Sequence, residues 1–134
     1  MSDVPEFGTI GFYDEVARQL NADPQWREMA TPITYTMTFH YLEPTNKYFY
    51  LKFESGEITE TAELSGPDER HVDFLIEGKP ESWAGVIKQE INPNAAMATG
   101  KLKVQGKQTI LLRHMKKFSY MINKMTTIEA VFPS

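Results

Sequence analysis

Between residues 33 and 77 the chain changes polarity at every second residue in four successive runs, and that period commits it to a fold built on a sheet. Ile33, Tyr35, Met37, Phe39 and Tyr41 alternate with Thr34, Thr36, Thr38 and His40. Successive side chains on a strand point to opposite faces, so this run has one apolar and one polar face. Tyr48 to Glu54 repeats the pattern with Phe49, Leu51 and Phe53 on one side, and Glu57 to Leu64 gathers Ile58, Ala62 and Leu64. Ser55-Gly56 joins these two runs in two residues and Glu43-Pro44-Thr45-Asn46 joins the first two, which predicts an antiparallel meander. Its outward face, rich in Thr, Tyr, Lys and Glu, is expected to meet water. A fourth run, His71 to Glu77, places Val72, Phe74 and Ile76 together.

Helical period takes over on either side. Phe12, Val16 and Leu20 recur as on an amphipathic helix from Thr9 to Asn21. Asp23 followed by Pro24 has the form of an N-cap and first helical residue, opening a short helix through Trp26 and Met29. Trp83, Val86 and Ile87 mark a helix within Ser82 to Glu90. Pro93 then starts a helical turn that Gly100 can end in the left-handed conformation, and Lys101 to Gln105 alternates as a fifth strand. From Lys107 to Met125, Leu111, Met115, Phe118, Ile122 and Met125 are spaced by four and three, one apolar stripe on one helix. The fold class is therefore α+β: a five-stranded mixed, mainly antiparallel sheet with helices packed over one face. Residues 1–134 are expected to form a single domain with a core of about 9–125 and a tail at 126–134, long enough to bury roughly two-thirds of its unfolded surface.

Charge is unevenly placed. Between Glu90 and Glu129 there is no acidic residue, while Lys101, Lys103, Lys107, Arg113, Lys116, Lys117 and Lys124 supply seven positive charges. The rest of the chain carries 7 of the 14 basic residues against all 18 acidic ones. A pI near 5.4 speaks against a nucleic-acid binder. One basic face on an acidic body suits an anionic surface or head group, here Arg113, Lys116 and Lys117, or else is a solvated helix face. No apolar run approaches the roughly 20 residues of a membrane span, the start MSDVPEFG lacks the form of a signal peptide, and the expected location is cytoplasmic.

Catalytic patterns are missing. His40, His71 and His114 fall on separate elements without metal-ligand spacing, and there is no cysteine. His71 and Asp73 are expected to share one strand face. Neither a nucleophile elbow nor a phosphate-binding glycine motif is present. The apolar inventory is distinctive instead: 8 Phe, 7 Met, 6 Tyr and 2 Trp. Methionine lines adaptable apolar surfaces as well as irregular cores.

The run Asn92-Pro93-x2-Ala96-x3-Gly100-Lys101-Leu102-Lys103-Val104-x-Gly106, preceded by Asp73-Phe74 and the Trp83 helix and followed by a terminal amphipathic helix, resembles the sterol carrier protein type 2 family, also called the sterol-binding or non-specific lipid-transfer family. The resemblance covers roughly residues 12–125. It implies a five-stranded mixed sheet with helices over one face, enclosing an apolar tunnel for fatty acid, fatty acyl-CoA, sterol or phospholipid, with no catalytic centre of its own; separately, no cofactor or metal is expected. Met97-Ala98 stands where members often have an aromatic pair. The expected lipid-binding residues are Met37, Phe39, Phe49, Phe53, Phe74, Trp83, Ile87, Met97, Leu111, Met115, Phe118 and Ile122. The expected partners are a lipid and, transiently, an anionic membrane through Arg113, Lys116 and Lys117, with no nucleic acid. The oligomeric state is not legible. Two alternatives stay open: an accessory module presenting lipid to a separate enzyme, and a small α+β cone-fold enzyme using His40 or Asp73 as general base on a hydrophobic substrate. The tail, with Ile128, Val131 and Phe132, plugs the tunnel, covers it or reaches a partner.

Overall fold

The computed structural model describes residues 4–66, 68–106 and 108–132, with the side chains of Pro93, Gln108 and Leu111 set aside. The alternating runs become β1 (Thr36–Tyr41), β2 (Lys47–Glu54), β3 (Glu57–Leu64), β4 (Phe74–Gly78) and β5 (Leu102–Gly106). They form one sheet in the order β3-β2-β1-β4-β5. The β1–β2, β2–β3 and β4–β5 pairs are antiparallel and β1–β4 is parallel. Ser55 and Gly56 both take positive φ, 50° and 84°, as a two-residue hairpin turn requires. Gly56 has a second constraint, since a Cβ there would lie 2.6 Å from the Ala30 carbonyl oxygen.

Three sequence expectations change. A bulge between Lys52 and Phe53 shifts the register, so Ile58 opposes Phe53 whereas Ala62 opposes Tyr50 and Leu64 opposes Tyr48. Ala62 and Leu64 therefore share the outer face, and Ile58 alone of that trio faces the helices. The outer face is not simply open to water either: Thr38, Tyr50 and Leu64 are buried there. The chain leaving β3 returns across this face, with the Arg70 guanidinium 4.8 Å from the Tyr50 ring and 2.7 Å from Glu60 Oε2. Finally, β4 starts at Phe74, so exposed His71 and half-buried Asp73 lie ahead of it and share no strand face. Asp73 Oδ2 accepts from the Thr36 amide at 2.9 Å, and the Asp73 amide donates to the Thr36 carbonyl at 3.0 Å, which aligns β4 with β1.

The helices are α1 (Ile10–Asn21), α2 (Pro24–Met29), α3 (Pro80–Ile87), α4 (Pro93–Ala98), α5 (Gln108–Arg113) and α6 (Met115–Thr126). Asp23 Oδ1 caps α2 by accepting from the Gln25 and Trp26 amides, and Asn92 Oδ1 caps α4 through Asn94 and Ala95. The terminal helix is not continuous, and Lys107 lies outside the described residues. Its phase changes at His114, whose φ of −112° and ψ of 24° leave helical geometry. The break turns the His114 ring inward, 6.3 Å from Tyr35, and leaves Met115 only half-buried. Beyond it Phe118, Met121, Ile122 and Met125 face the core. The tail packs on the N-terminal segment: the Phe7 amide donates to the Val131 carbonyl at 2.9 Å, and the Phe132 ring stacks on Phe7 at 5.0 Å. Pro133 and Ser134 lie outside the described residues.

Candidate ligand-binding site

The apolar sheet face is set by the pleat: Met37, Phe39 and Tyr41 from β1, Phe49, Leu51 and Phe53 from β2, and Phe74 and Ile76 from β4 all point the same way. Helices α1, α3 and α6 lay their own apolar stripes on it. Tyr13 stacks between Phe39 and Phe49 at centroid distances of 5.2 and 4.9 Å, Trp83 stacks on Tyr41 at 5.3 Å, and Phe118 meets Phe74 edge-on at 5.5 Å. Two buried polar pairings lie within this layer. The Tyr13 and Tyr41 hydroxyls are 2.7 Å apart, and Trp83 Nε1 donates to the His40 carbonyl at 3.1 Å. Burial pushes both tyrosine pKa values well above the usual range, so these hydroxyls stay neutral.

Nine of the twelve expected lipid-binding residues meet in this layer: Met37, Phe39, Phe49, Phe53, Phe74, Trp83, Ile87, Phe118 and Ile122 are all buried in one cluster. Leu111 belongs to α5, but its side chain lies outside those described. Met97 and Met115 stand elsewhere. Both line an open groove of about 430 Å³, completed by Gly100, Leu102, Lys103, Val104, Gln105 and Leu112. That volume lies within the range of roughly 300–1,000 Å³ usual for small-molecule sites.

The groove follows from the local sequence. β5 is an edge strand, so only β4 pairs with it. Leu102 and Val104 alternate toward the helical side, and α4 brings Met97 to one rim while α5 and α6 bring Leu112 and Met115 to the other. Leu112 is 69% exposed, one of the two large hydrophobic side chains most open to water among the described residues. Sequence reasoning missed Leu102, Val104 and Leu112 as groove residues. Leu112 left a signal, because it falls off the helical stripe that contains Leu111 and so has no core position to fill.

A second cleft of about 420 Å³ shares Gly100 and Lys103 with the groove and adds Lys79, Ser82, Thr99 and Lys101. The other expected basic residues flank the groove differently. Lys116 lines a shallow depression beside Met115, Arg113 is exposed next to Leu112, and Lys117 is half-buried.

The candidate bases are held in structural contacts. His40 lies on the outer face, its Nδ1 3.3 Å from Glu77 Oε2 and its Nε2 3.3 Å from Asn46 Oδ1, with its ring stacked on Tyr48 at 4.0 Å. Asp73 binds the Thr36 amide. His114 is buried, and its Nδ1 has no hydrogen-bond partner among the described residues. Burial, with Lys117 and Arg113 nearby, lowers its pKa below the ordinary imidazole value. Among the described residues no group of three or more His, Asp or Glu side chains is placed to hold a metal ion. No helix among them is long and apolar enough to cross a membrane.

The sequence model of the SCP-2 sterol transfer family matches residues 15–118. No curated protein sequence matches the chain significantly. Among solved structures, a crystal structure of sterol carrier protein 2 superposes with a TM-score of 0.81 at 18% identity, covering 92% of this chain and 99% of that one. A conserved hypothetical protein from Thermus thermophilus gives 0.77 at 18% identity, over 99% and 96% of the two chains. The inverting sec-alkylsulfatase of a Pseudomonas species gives 0.56 at 15% identity, with 92% of this chain matching only 16% of the sulfatase.

Proposed function

The chain belongs to the SCP-2 sterol transfer family, and on that premise we propose that it binds and carries a lipid with a long hydrocarbon chain, without chemical turnover. The observation that carries this reading is the open apolar groove beside β5, with Leu112 held out in water at its rim. An exposed leucine next to two methionines has an apolar partner to gain. The ligand first lies along Met97, Leu102, Val104 and Met115, then passes between α6 and the sheet where Phe74, Phe118 and Ile122 meet. The break at His114 supports this path, because α5 and α6 are separate segments there and can part from β5. Burial supplies the driving force: at about 0.8 kcal/mol per methylene, a dozen methylenes contribute on the order of 10 kcal/mol before ordering costs.

Non-catalytic binding accords with the groove's lining, in which Lys103 is the sole ionisable group among the described residues. Transient contact with anionic membranes through Arg113, Lys116 and Lys117 would place the groove at the bilayer surface, and a cytoplasmic location accords with such a carrier. The test is displacement of a fluorescent fatty acid by unlabelled long-chain ligands. Met115→Glu, which puts a charge in the apolar wall, should weaken binding at least 10-fold, because an unpaired charge there costs well over 1.4 kcal/mol. Unchanged affinity would remove the groove from the binding path.

A second reading rests on the sulfatase, where a fold like this one is a small part of a larger chain. As an accessory module, the protein would present its ligand to an enzyme. A partner enzyme that co-purifies with the wild type and is lost on Leu112→Glu would favour that role over free transfer.

A further inference from the structure

Strand β5 ends the sheet with one side unused. It spans Leu102–Gly106, about 17 Å of extended chain, and pairs only with β4. Alternate amides and carbonyls of an edge strand point away from its one neighbour. Among the described residues, no backbone hydrogen bond reaches β5 from outside its own ladder. The apolar groove runs along this side. It is lined by four consecutive residues, Leu102, Lys103, Val104 and Gln105. Successive strand residues point to opposite faces, so a groove bordered by all four follows the edge of the sheet and not one face of it.

The two faces that meet at this edge differ. Leu102 is buried and Val104 half-buried on the helical side, whereas Lys103 and Gln105 are exposed on the other, with exposed Lys101 just ahead of them. Glu77 opposes Lys103 in the ladder, but it sits on β4, away from the open edge, and His40 and Gln105 engage its carboxylate. Glu81 borders the neighbouring cleft and not the groove. A second copy added edge to edge would bring Lys101 and Lys103 against the same lysines, and like charges opposed across strands destabilise the pair. We infer that β5 is a docking edge for an extended segment of a partner protein in which apolar and acidic residues alternate. The segment adds to the sheet as a sixth strand through its backbone. Its apolar side chains fall beside Leu102, Val104 and Leu112, and its carboxylates fall beside Lys101 and Lys103. Such a strand covers Leu112, which is otherwise 69% exposed. It needs no lipid in the groove, so the inference stands apart from the lipid-binding reading.

The probe is a fluorescent heptapeptide that alternates leucine with glutamate, acetylated and amidated at its ends and titrated into the full chain below its own aggregation concentration. It should bind saturably, and a copy with lysine in place of glutamate should bind at least about 10-fold more weakly at low salt. Strand addition has a signature that amphipathic contact lacks. Of two further copies, N-methylated at the odd or at the even amides, one should lose binding and the other keep it, because only alternate amides face β5. Hydrogen exchange should slow at alternate amides within residues 102–106. Lys101→Glu with Lys103→Glu should reverse the preference toward the lysine copy, with an unchanged melting temperature as control. Equal binding of the glutamate and lysine peptides, or equal effects of the two N-methylated copies, would overturn the inference. Dimerisation of the protein alone that blocks the peptide would assign the edge to a second copy and overturn it too. No binding by any peptide would overturn it as well, while displacement of a fluorescent fatty acid from the same protein would still decide the lipid-binding reading.

Discussion

Removing the Asp23 carboxylate should loosen the protein more than any other single surface change, because that group joins two helices that are remote in sequence. Asp23 Oδ1 caps α2, while Oδ2 accepts from the Tyr120 hydroxyl at 2.6 Å and lies 3.2 Å from Lys124 Nζ on α6. Loss of an N-cap costs about 1 kcal/mol. A hydrogen bond to a charged group is worth about 1.5–3 kcal/mol. The Lys124 contact, partly exposed, adds at most about 1 kcal/mol. Allowing for overlap, Asp23→Ala should destabilise the protein by about 2–4 kcal/mol, read from the urea midpoint at constant m-value. Asp23→Asn, a good cap without charge, should lose roughly half as much. The Tyr120 bond, then the neighbouring Lys124 and backbone amide, lowers the Asp23 pKa. A depressed carboxylate contributes stability above its unfolded value and loses it as pH falls through its folded value. The gap between wild type and Asp23→Asn should therefore be widest near neutrality and close in acid. Losses under 0.5 kcal/mol in both variants, or a gap independent of pH, would refute the reasoning.

Other outcomes follow from single sites. His114, buried and with its pKa lowered, is neutral in the fold, so the unfolded chain binds the extra proton below the ordinary value of 6.5 and stability falls as pH drops beneath it; His114→Gln should flatten that decline in thermal melts between about pH 7 and 5. Gly56→Ala combines a positive φ of 84° with a Cβ 2.6 Å from the Ala30 oxygen and should cost about 3 kcal/mol or more, measured by urea unfolding. Lys116→Glu with Lys117→Glu should slow delivery of lipid to anionic vesicles at low salt and leave delivery to neutral vesicles unchanged, since each basic residue near an anionic surface is worth about 1 kcal/mol within a Debye length of roughly 8 Å.

Period carried most of the fold in the sequence. Phe49, Leu51 and Phe53 could only be one face of a strand, and Asp23-Pro24 and Pro93 announced helix starts, the first capped by Asp23 as expected and the second by Asn92. The misreadings share a cause, which is that tertiary contact breaks local phase. One bulge beside Phe53 sends Leu64 to the outer face, and the last helix divides at His114, where the ring is buried against Tyr35. At the candidate site, the aromatic layer was legible because Phe39, Phe74 and Phe118 lie on periodic stripes. The groove and its basic end were not. They depend on β5 being an edge strand and on α3, α4 and α5 lying beside it, and no local pattern encodes that Ser82 is buried or that Lys79 lines one cleft with Lys101 and Lys103.

Methionine-methyl NMR offers the most direct test of lipid binding at the β5 groove. With the methionine methyl groups isotopically labelled, unlabelled hexadecanoate should shift Met97 and Met115 saturably at one equivalent, with Phe118-side Met121 moving less. No change at any methionine up to the solubility limit, or saturable changes that spare both Met97 and Met115, would contradict it.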